Sequence, residues 1–344
     1  MIPPLVIGGV TVEAGERTTV ELPVARLPTS RDVSMRVHVV RGKRPGPTLF
    51  VSAAVHGDEI NGVEIVSRLL RMRALSRLRG TLIAVPVVNM FGFLGHSRYL
   101  PDRRDLNRAF PGSARGSLGA RLAHLFREEV LAKSTHGIDL HTGGLHRTNL
   151  PHIRISPDDP VALEMAEHFG ALVVLRSPIR AGSLRAAAAK QGVPLIVYEG
   201  GEALRSDAWA IKAGLRGVVA TMHHLGMLKT RRKPAVRPPP VVADRTRWVR
   251  APAGGMLRAR AKLGSRVRAK ALLATIGDPH GGDPVPVHAP GHSIVIGHAQ
   301  LPVVNEGDAL FHLLRLDMKP GDEQLEPIEA FQAAIEPRGF EDDD

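Results

Sequence analysis

The 344-residue chain contains no cysteine. Disulfides, thiolate metal ligands and a cysteine nucleophile are therefore excluded, and a bound metal would have to rest on His, Asp or Glu. Long apolar runs are missing as well: none approaches the roughly 18 to 20 residues of a membrane span, and Met1-Ile2-Pro3-Pro4-Leu5 lacks the basic start and apolar core of a secretory signal. A cytoplasmic protein with no membrane partner is the expectation. Aromatic residues are scarce, at 4%. Acids are scarce only locally, since residues 229–270 carry 14 Lys or Arg and a single acid, Asp244, which more than accounts for the net charge of +12. Trp248 alone interleaves that basic stripe, so it reads as a solvated linker and domain surface rather than a face for nucleic acid.

What the chain does have is histidine, 16 in all, and His56-Gly57-Asp58-Glu59 is the most telling placement. It follows the continuous apolar stretch Pro47–Val55, the pattern of a strand buried on both faces of an α/β sheet. Ile60, Val63, Val66, Leu69 and Leu70 then mark the apolar stripe of a helix, with Glu59 in or near its first turn. A second strand, Gly137–His141, places Asp139 and His141 on one face by its period of two. His56, Glu59 and His141 together make a zinc-ligand set, and three protein ligands leave the fourth tetrahedral position open, as catalysis requires. Asp139 would stand behind His141. A third apolar run, Leu195–Tyr198, ends in Glu199-Gly200-Gly201; a carboxylate there suits a base that activates water. Ser183 caps a short helix ending at Gly192 and brings Arg185 into its first turn, where an incoming carboxylate would also feel the helix N-terminus. Arg147 and Asn149 are comparable polar candidates after His141.

Four stretches carry a resemblance to a known family. They are Ala54–Gly62, Arg98-Tyr99 with Asp105-Leu106-Asn107-Arg108-Ala109-Phe110-Pro111-Gly112, Asp139–Gly143, and Tyr198–Gly201. In this order they resemble the aspartoacylase and succinylglutamate desuccinylase group, relatives of the zinc carboxypeptidases. The resemblance covers about residues 48–201 and implies a mixed sheet flanked by helices. It implies one zinc ion per chain on His56, Glu59 and His141, with Glu199 as general base. It also implies that Asn107 and Arg108 hold the substrate's carboxylate or polarise its carbonyl, with Arg98 as a further contact; Arg103 or Arg104 could take that last role.

Beyond the basic, proline-rich segment the texture becomes short strands broken by Gly and Pro, an all-β pattern. The expected division is a catalytic domain over 1–230, a linker over 231–245, a smaller β domain over 246–320 and a tail over 321–344. Ala251–Gly255, Lys262–Val267, Ala289–His292 and Asn305–Asp308 resemble the barrel-sandwich module of biotinyl and lipoyl carriers. Residues 271–318 contain no lysine to hold such a cofactor, so a structural or capping role is expected.

The resulting reading is a zinc-dependent deacylase that hydrolyses the amide of an N-acyl amino acid or related small amine. A carboxypeptidase-like peptidase uses the same metal, base and arginine set, and a metal-dependent binding protein without turnover is the alternative from another class. Homo-oligomerisation is left open. His223-His224 is set aside because adjacent helical residues face apart, and His288, His292 and His298 because they lie among turns.

Overall fold

Leu49, Val51 and Ala53 pack into one apolar core, while the intervening Phe50 packs into another. A strand that is apolar on both faces has to be covered on both. The computed structural model describes residues 3–229 and 239–316, which fall into two units, residues 1–145 with 151–244 and residues 146–150 with 245–344.

The first unit begins with the paired strands β1 (Leu5–Ile7) and β2 (Val10–Val12), then β3 (Arg17–Arg26), β4 (Asp32–Arg41), β5 (Arg44–Ala53), α1 (Asn61–Arg71), β6 (Arg79–Val85), α2 (Met90–Leu94) and α3 (Leu118–Glu129). It continues with β7 (His136–Gly143), β8 (Arg147–Ile155, of which residues 151–155 belong to this unit), α4 (Pro160–Phe169), β9 (Val173–Arg176), α5 (Leu184–Lys190), β10 (Leu195–Glu202), α6 (Ala208–His224) and β11 (Val241–Ala243). The strand order is β11-β9-β8-β10-β7-β5-β6-β4-β3. The central strands β10, β7, β5 and β6 run parallel, and β4 and β3 are antiparallel at one edge. The sheet is mixed, as expected. Helices α1, α4 and α6 cover one face and α3 and α5 the other.

Helix α1 starts at Asn61, with Ile60 at its cap, so Glu59 lies one residue before the cap rather than within a turn. Its buried stripe is Ile65, Val66, Leu69 and Leu70; Val63 is half-buried. Strand β11 lies within the segment expected to be linker and pairs in parallel with β9; positions 231–238 of that segment, like the expected tail from 321 on, fall outside the described residues.

The second unit is all β: β12 (Thr246–Arg250), β13 (Gly255–Ala259), β14 (Arg266–Val267), β15 (Leu272–Gly277), β16 (Val285–His288), β17 (Ser293–Ala299), β18 (Val303–Val304) and β19 (Ala309–Arg315). One sheet joins β12, β19 and β17 and the other has the order β16-β15-β13-β18. Leu257, Leu273, Ile276, Val295, Phe311 and Leu313 from both sheets form one core, the arrangement of a sandwich. Arg247, Arg250, Arg258, Arg260, Lys262 and Arg268 are exposed. The β15–β16 connection, Asp278–Pro284, contains no lysine.

Candidate active site

Strand periodicity determines which side chains can meet. Ile138 and Leu140 of β7 and Ile196 and Tyr198 of β10 face the core beneath α1, α4 and α6, so Asp139, His141 and Glu199 project from the opposite face. Register then aligns them: Ser52 is opposite Asp139 across β5–β7, and Glu199 is opposite His141 across β7–β10. All lie toward the carboxyl ends of parallel strands, where ligands bind in open α/β sheets.

His56 and Glu59 arrive from the β5–α1 connection. The backbone approaches very closely here. A Cβ on Gly57 would lie 2.0 Å from the Gly92 carbonyl carbon, and one on Gly62 would lie 2.7 Å from Ala53 Cβ and 2.8 Å from Leu140 Cβ. Glycine at both positions lets the connection sit between α2 and the strand ends. Asn61 ties the start of α1 to its surroundings, donating to the Gly200 carbonyl (3.2 Å) and accepting from the Asp207 amide (3.0 Å).

His56, Glu59 and His141 are all buried and could hold a metal ion. His56 Nδ1 is 2.8 Å from Glu59 Oε1 and His141 Nδ1 is 2.7 Å from Glu59 Oε2. The outer nitrogens are held in turn. His141 Nε2 meets Asp139 Oδ2 at 2.7 Å, Asp139 Oδ1 accepts from the Ser52 hydroxyl at 2.7 Å, and His56 Nε2 meets Asp105 Oδ1 at 3.1 Å. Metal-ligating histidines characteristically carry such a carboxylate on the far nitrogen, which orients the ring and raises its basicity. The donor set therefore fits a divalent cation held through both Nδ1 atoms and the Glu59 carboxylate.

Electrostatics agree. Burial alone would push the Glu59 carboxyl up, but His56 and then His141 outweigh it and hold it well below the usual range. Burial likewise disfavours a charged His141, yet Asp139 and then Glu59 raise it well above an ordinary imidazole. The cluster is a buried set of anionic oxygens that keeps positive charge among them.

Arg98 donates to Glu59 Oε1 (3.0 Å) and to Asp105 Oδ2 (3.2 Å), bracing the ligand and the carboxylate behind His56. The Asn107 side-chain oxygen accepts from the Leu184 backbone amide at the start of α5 (2.8 Å), and the Asn107 backbone N–H donates to Asp105 Oδ1 (2.8 Å). Arg108 is exposed and donates to the Asn107 carbonyl at 2.5 Å. Glu199 is half-buried with Arg154 Nε 3.3 Å from its Oε1. Arg185, expected as a substrate contact, has a guanidinium engaged by the carbonyls of Ile155 and Pro178 and the Ser177 hydroxyl, each at 2.8 Å. Burial and then Arg154 lower it to about 10, with Glu199 opposing. Arg147 and Asn149 belong to the second unit, where Arg147 lies 5.4 Å over the Trp248 ring.

Sequence reasoning gave no role to Asp105, Ser52 or Arg154. Asp105 opens the Asp105-Leu106-Asn107-Arg108 stretch, so its signal is present in the sequence. Ser52 and Arg154 become visible only through strand pairing and side-chain contact.

The sequence matches the succinylglutamate desuccinylase/aspartoacylase catalytic domain over residues 45–225. The N-alpha-acetyl-L-2,4-diaminobutyric acid deacetylase of Halomonas elongata is 26% identical over 303 residues, covering 83% of this chain and 88% of that protein. A succinylglutamate desuccinylase/aspartoacylase from Rhodobacter sphaeroides has a similar structure, with a TM-score of 0.78 at 25% identity over 88% of this chain and 96% of that one. The ectoine utilization protein EutE (DoeB) from Ruegeria pomeroyi shares the fold, with a TM-score of 0.77 at 24% identity over 88% and 95% of the two chains. The match takes in more than half of the sequence, including His56, Glu59, His141 and Glu199, and the chain belongs to the succinylglutamate desuccinylase/aspartoacylase family of amide-bond hydrolases.

Proposed function

We propose that this protein is a zinc-dependent deacylase that hydrolyses the amide of an N-acyl amino acid or a related small N-acyl amine. The observation that supports the reading is the register of Glu199 opposite His141 on adjacent parallel strands, which by strand periodicity turns both side chains to one face of the sheet. Zinc, when bound by these three residues, supplies Lewis acidity toward a water molecule and a carbonyl oxygen.

The chain's own groups do the rest. Glu199 accepts a proton from the attacking water at its carboxylate and returns it to the leaving nitrogen. One carbon–oxygen bond forms as the carbon–nitrogen bond breaks, and the products are a carboxylate and a free amine. Asn107 and Arg108 bind the substrate's own carboxylate, for which a planar guanidinium is well shaped. Arg98 holds Glu59 and Asp105 in place and adds positive charge, and Arg185 is a further cation beside Glu199.

The Halomonas elongata relative, a deacetylase of an N-acetylated diamino acid, supports the choice of substrate class. The deciding experiment is a substrate panel on zinc-loaded protein, comparing N-acyl amino acids with dipeptides and longer peptides. Hydrolysis of the N-acyl amino acids in preference to peptides is the expected result. Preferential cleavage of C-terminal peptide bonds would replace the deacylase with a carboxypeptidase-like enzyme, and binding of both classes without turnover would reduce the site to a receptor.

A further inference from the structure

Strands β7, β10 and β8 lie side by side in the sheet, and each presents a polar side chain to the face that carries the site. On β8 the flanking Ile153 and Ile155 are buried in the core beneath α1, α4 and α6. Arg154 therefore projects from the opposite face, as His141 and Glu199 do from β7 and β10. Glu199 thus stands between a strand that supplies a candidate metal ligand and a strand that supplies a guanidinium. Arg154 Nε is 3.3 Å from Glu199 Oε1. Both residues are half-buried, where opposite charges attract more strongly than in open water.

Two features set this contact apart from an ordinary surface ion pair. The first is alignment. Among the described residues the buried Arg154 Nε makes no hydrogen bond, so its attraction to Oε1 is one of charge and not of an aligned N–H. An aligned donor would occupy an acceptor position on that oxygen, whereas the charge draws on the carboxylate without Nε doing so. The second is the cation behind it. The Arg185 guanidinium is fixed by the carbonyls of Ile155 and Pro178 and the Ser177 hydroxyl, and Arg154 and Arg185 repel each other while Glu199 attracts Arg185. With Arg185 held in place, that repulsion favours Arg154 against Glu199.

We propose that Arg154 is a positioning residue for amide hydrolysis, holding the Glu199 carboxylate in the orientation from which it takes the proton of the attacking water and returns it to the leaving nitrogen. The assignment rests on the reading of Glu199 as general base. A base works only within hydrogen-bonding distance of the proton it removes, and a small misplacement lowers the rate without weakening substrate binding. Arg154 therefore acts on turnover through Glu199 and needs no contact of its own with the substrate.

The test is steady-state kinetics of zinc-loaded, full-length protein, with the fastest substrate of the N-acyl amino acid panel as probe. Arg154→Met, Arg154→Lys, Glu199→Gln and the double variant Glu199→Gln/Arg154→Met are compared, with zinc content and Tm recorded for each. Methionine keeps much of the apolar stem and removes the charge; lysine keeps a positive charge. Arg154→Met should retain zinc and fold and lose about ten- to a hundredfold in kcat, with KM changed by less than about twofold. Arg154→Lys should recover most of that loss, and Arg154→Gln replaces Arg154→Met in the comparison if methionine impairs folding. The double variant should be no slower than Glu199→Gln alone, because a group that acts only through Glu199 adds nothing once that carboxylate is gone. A raised KM with unchanged kcat, a lysine variant as slow as the neutral one, or losses that multiply in the double variant would each overturn the proposal. Glu199→Gln at the wild-type rate would remove the base reading and this proposal together, whereas an inactive Glu199→Gln beside a fully active Arg154→Met would remove the positioning role alone.

Discussion

Among the described residues two clusters have the same composition, two histidines and one glutamate, and they differ in how they are surrounded. In His56, Glu59 and His141 every member is buried and each histidine has an acid on its far nitrogen. In Glu164, His168 and His224 the two residues on α4 are exposed, the histidines stack on each other, and the one far-side contact is a backbone carbonyl. The same residue types therefore stand in very different surroundings. Burial strengthens each electrostatic contact, and the outer carboxylates orient and polarise the rings. Only the first cluster also has a glutamate, Glu199, in register beside it.

The contrast is broken most severely by His141→Ala. Hydrolysis should fall to background and tightly held zinc should disappear from metal analysis, whereas His224→Ala should leave hydrolysis intact; equal losses in the two variants would erase the distinction. Next comes Glu199→Gln, which should keep its zinc and its fold yet lose roughly two to four orders of magnitude in turnover. Near-normal turnover would transfer the base role to another carboxylate, with buried Glu202 the first to examine.

Asp139→Asn tests the outer carboxylate directly. Weakening its contact with His141 Nε2 should lower metal affinity by about 10- to 100-fold, measured by competition with a chelator, and an unchanged affinity would show that burial alone suffices. The smallest expected effect is selective. Arg108→Ala should cost roughly ten- to a hundredfold in kcat/KM for substrates bearing a carboxylate, and less for the neutral amide of the same compound. If both fall equally, Arg108 acts on the scissile carbonyl oxygen.

Much of this was legible in the order of residues. An apolar run of strand length that ends in histidine, a period of two that puts Asp139 with His141, and a run ending in Glu199 are local patterns, dictated by backbone geometry and side-chain polarity over a few positions. The capping of α5 by Ser183 is equally local: its hydroxyl accepts from the Ala186 amide at 3.1 Å. The short strands between Gly and Pro beyond residue 245 are local in the same sense.

Other facts required the folded chain. The start of α1 at Asn61 follows from the close approach of Gly57 to Gly92 and Gly62 to Leu140, contacts between segments far apart in sequence. The engagement of Arg185 by Ile155, Ser177 and Pro178 and the bracing of Glu59 by Arg98 could not be separated in advance from substrate contacts, because an arginine's partners are set by whatever acceptors the fold brings within reach. The pairing of His168 with His224 is the clearest case. Periodicity places each histidine on its own helix, but only the packing of α4 on α6 determines that the two rings meet.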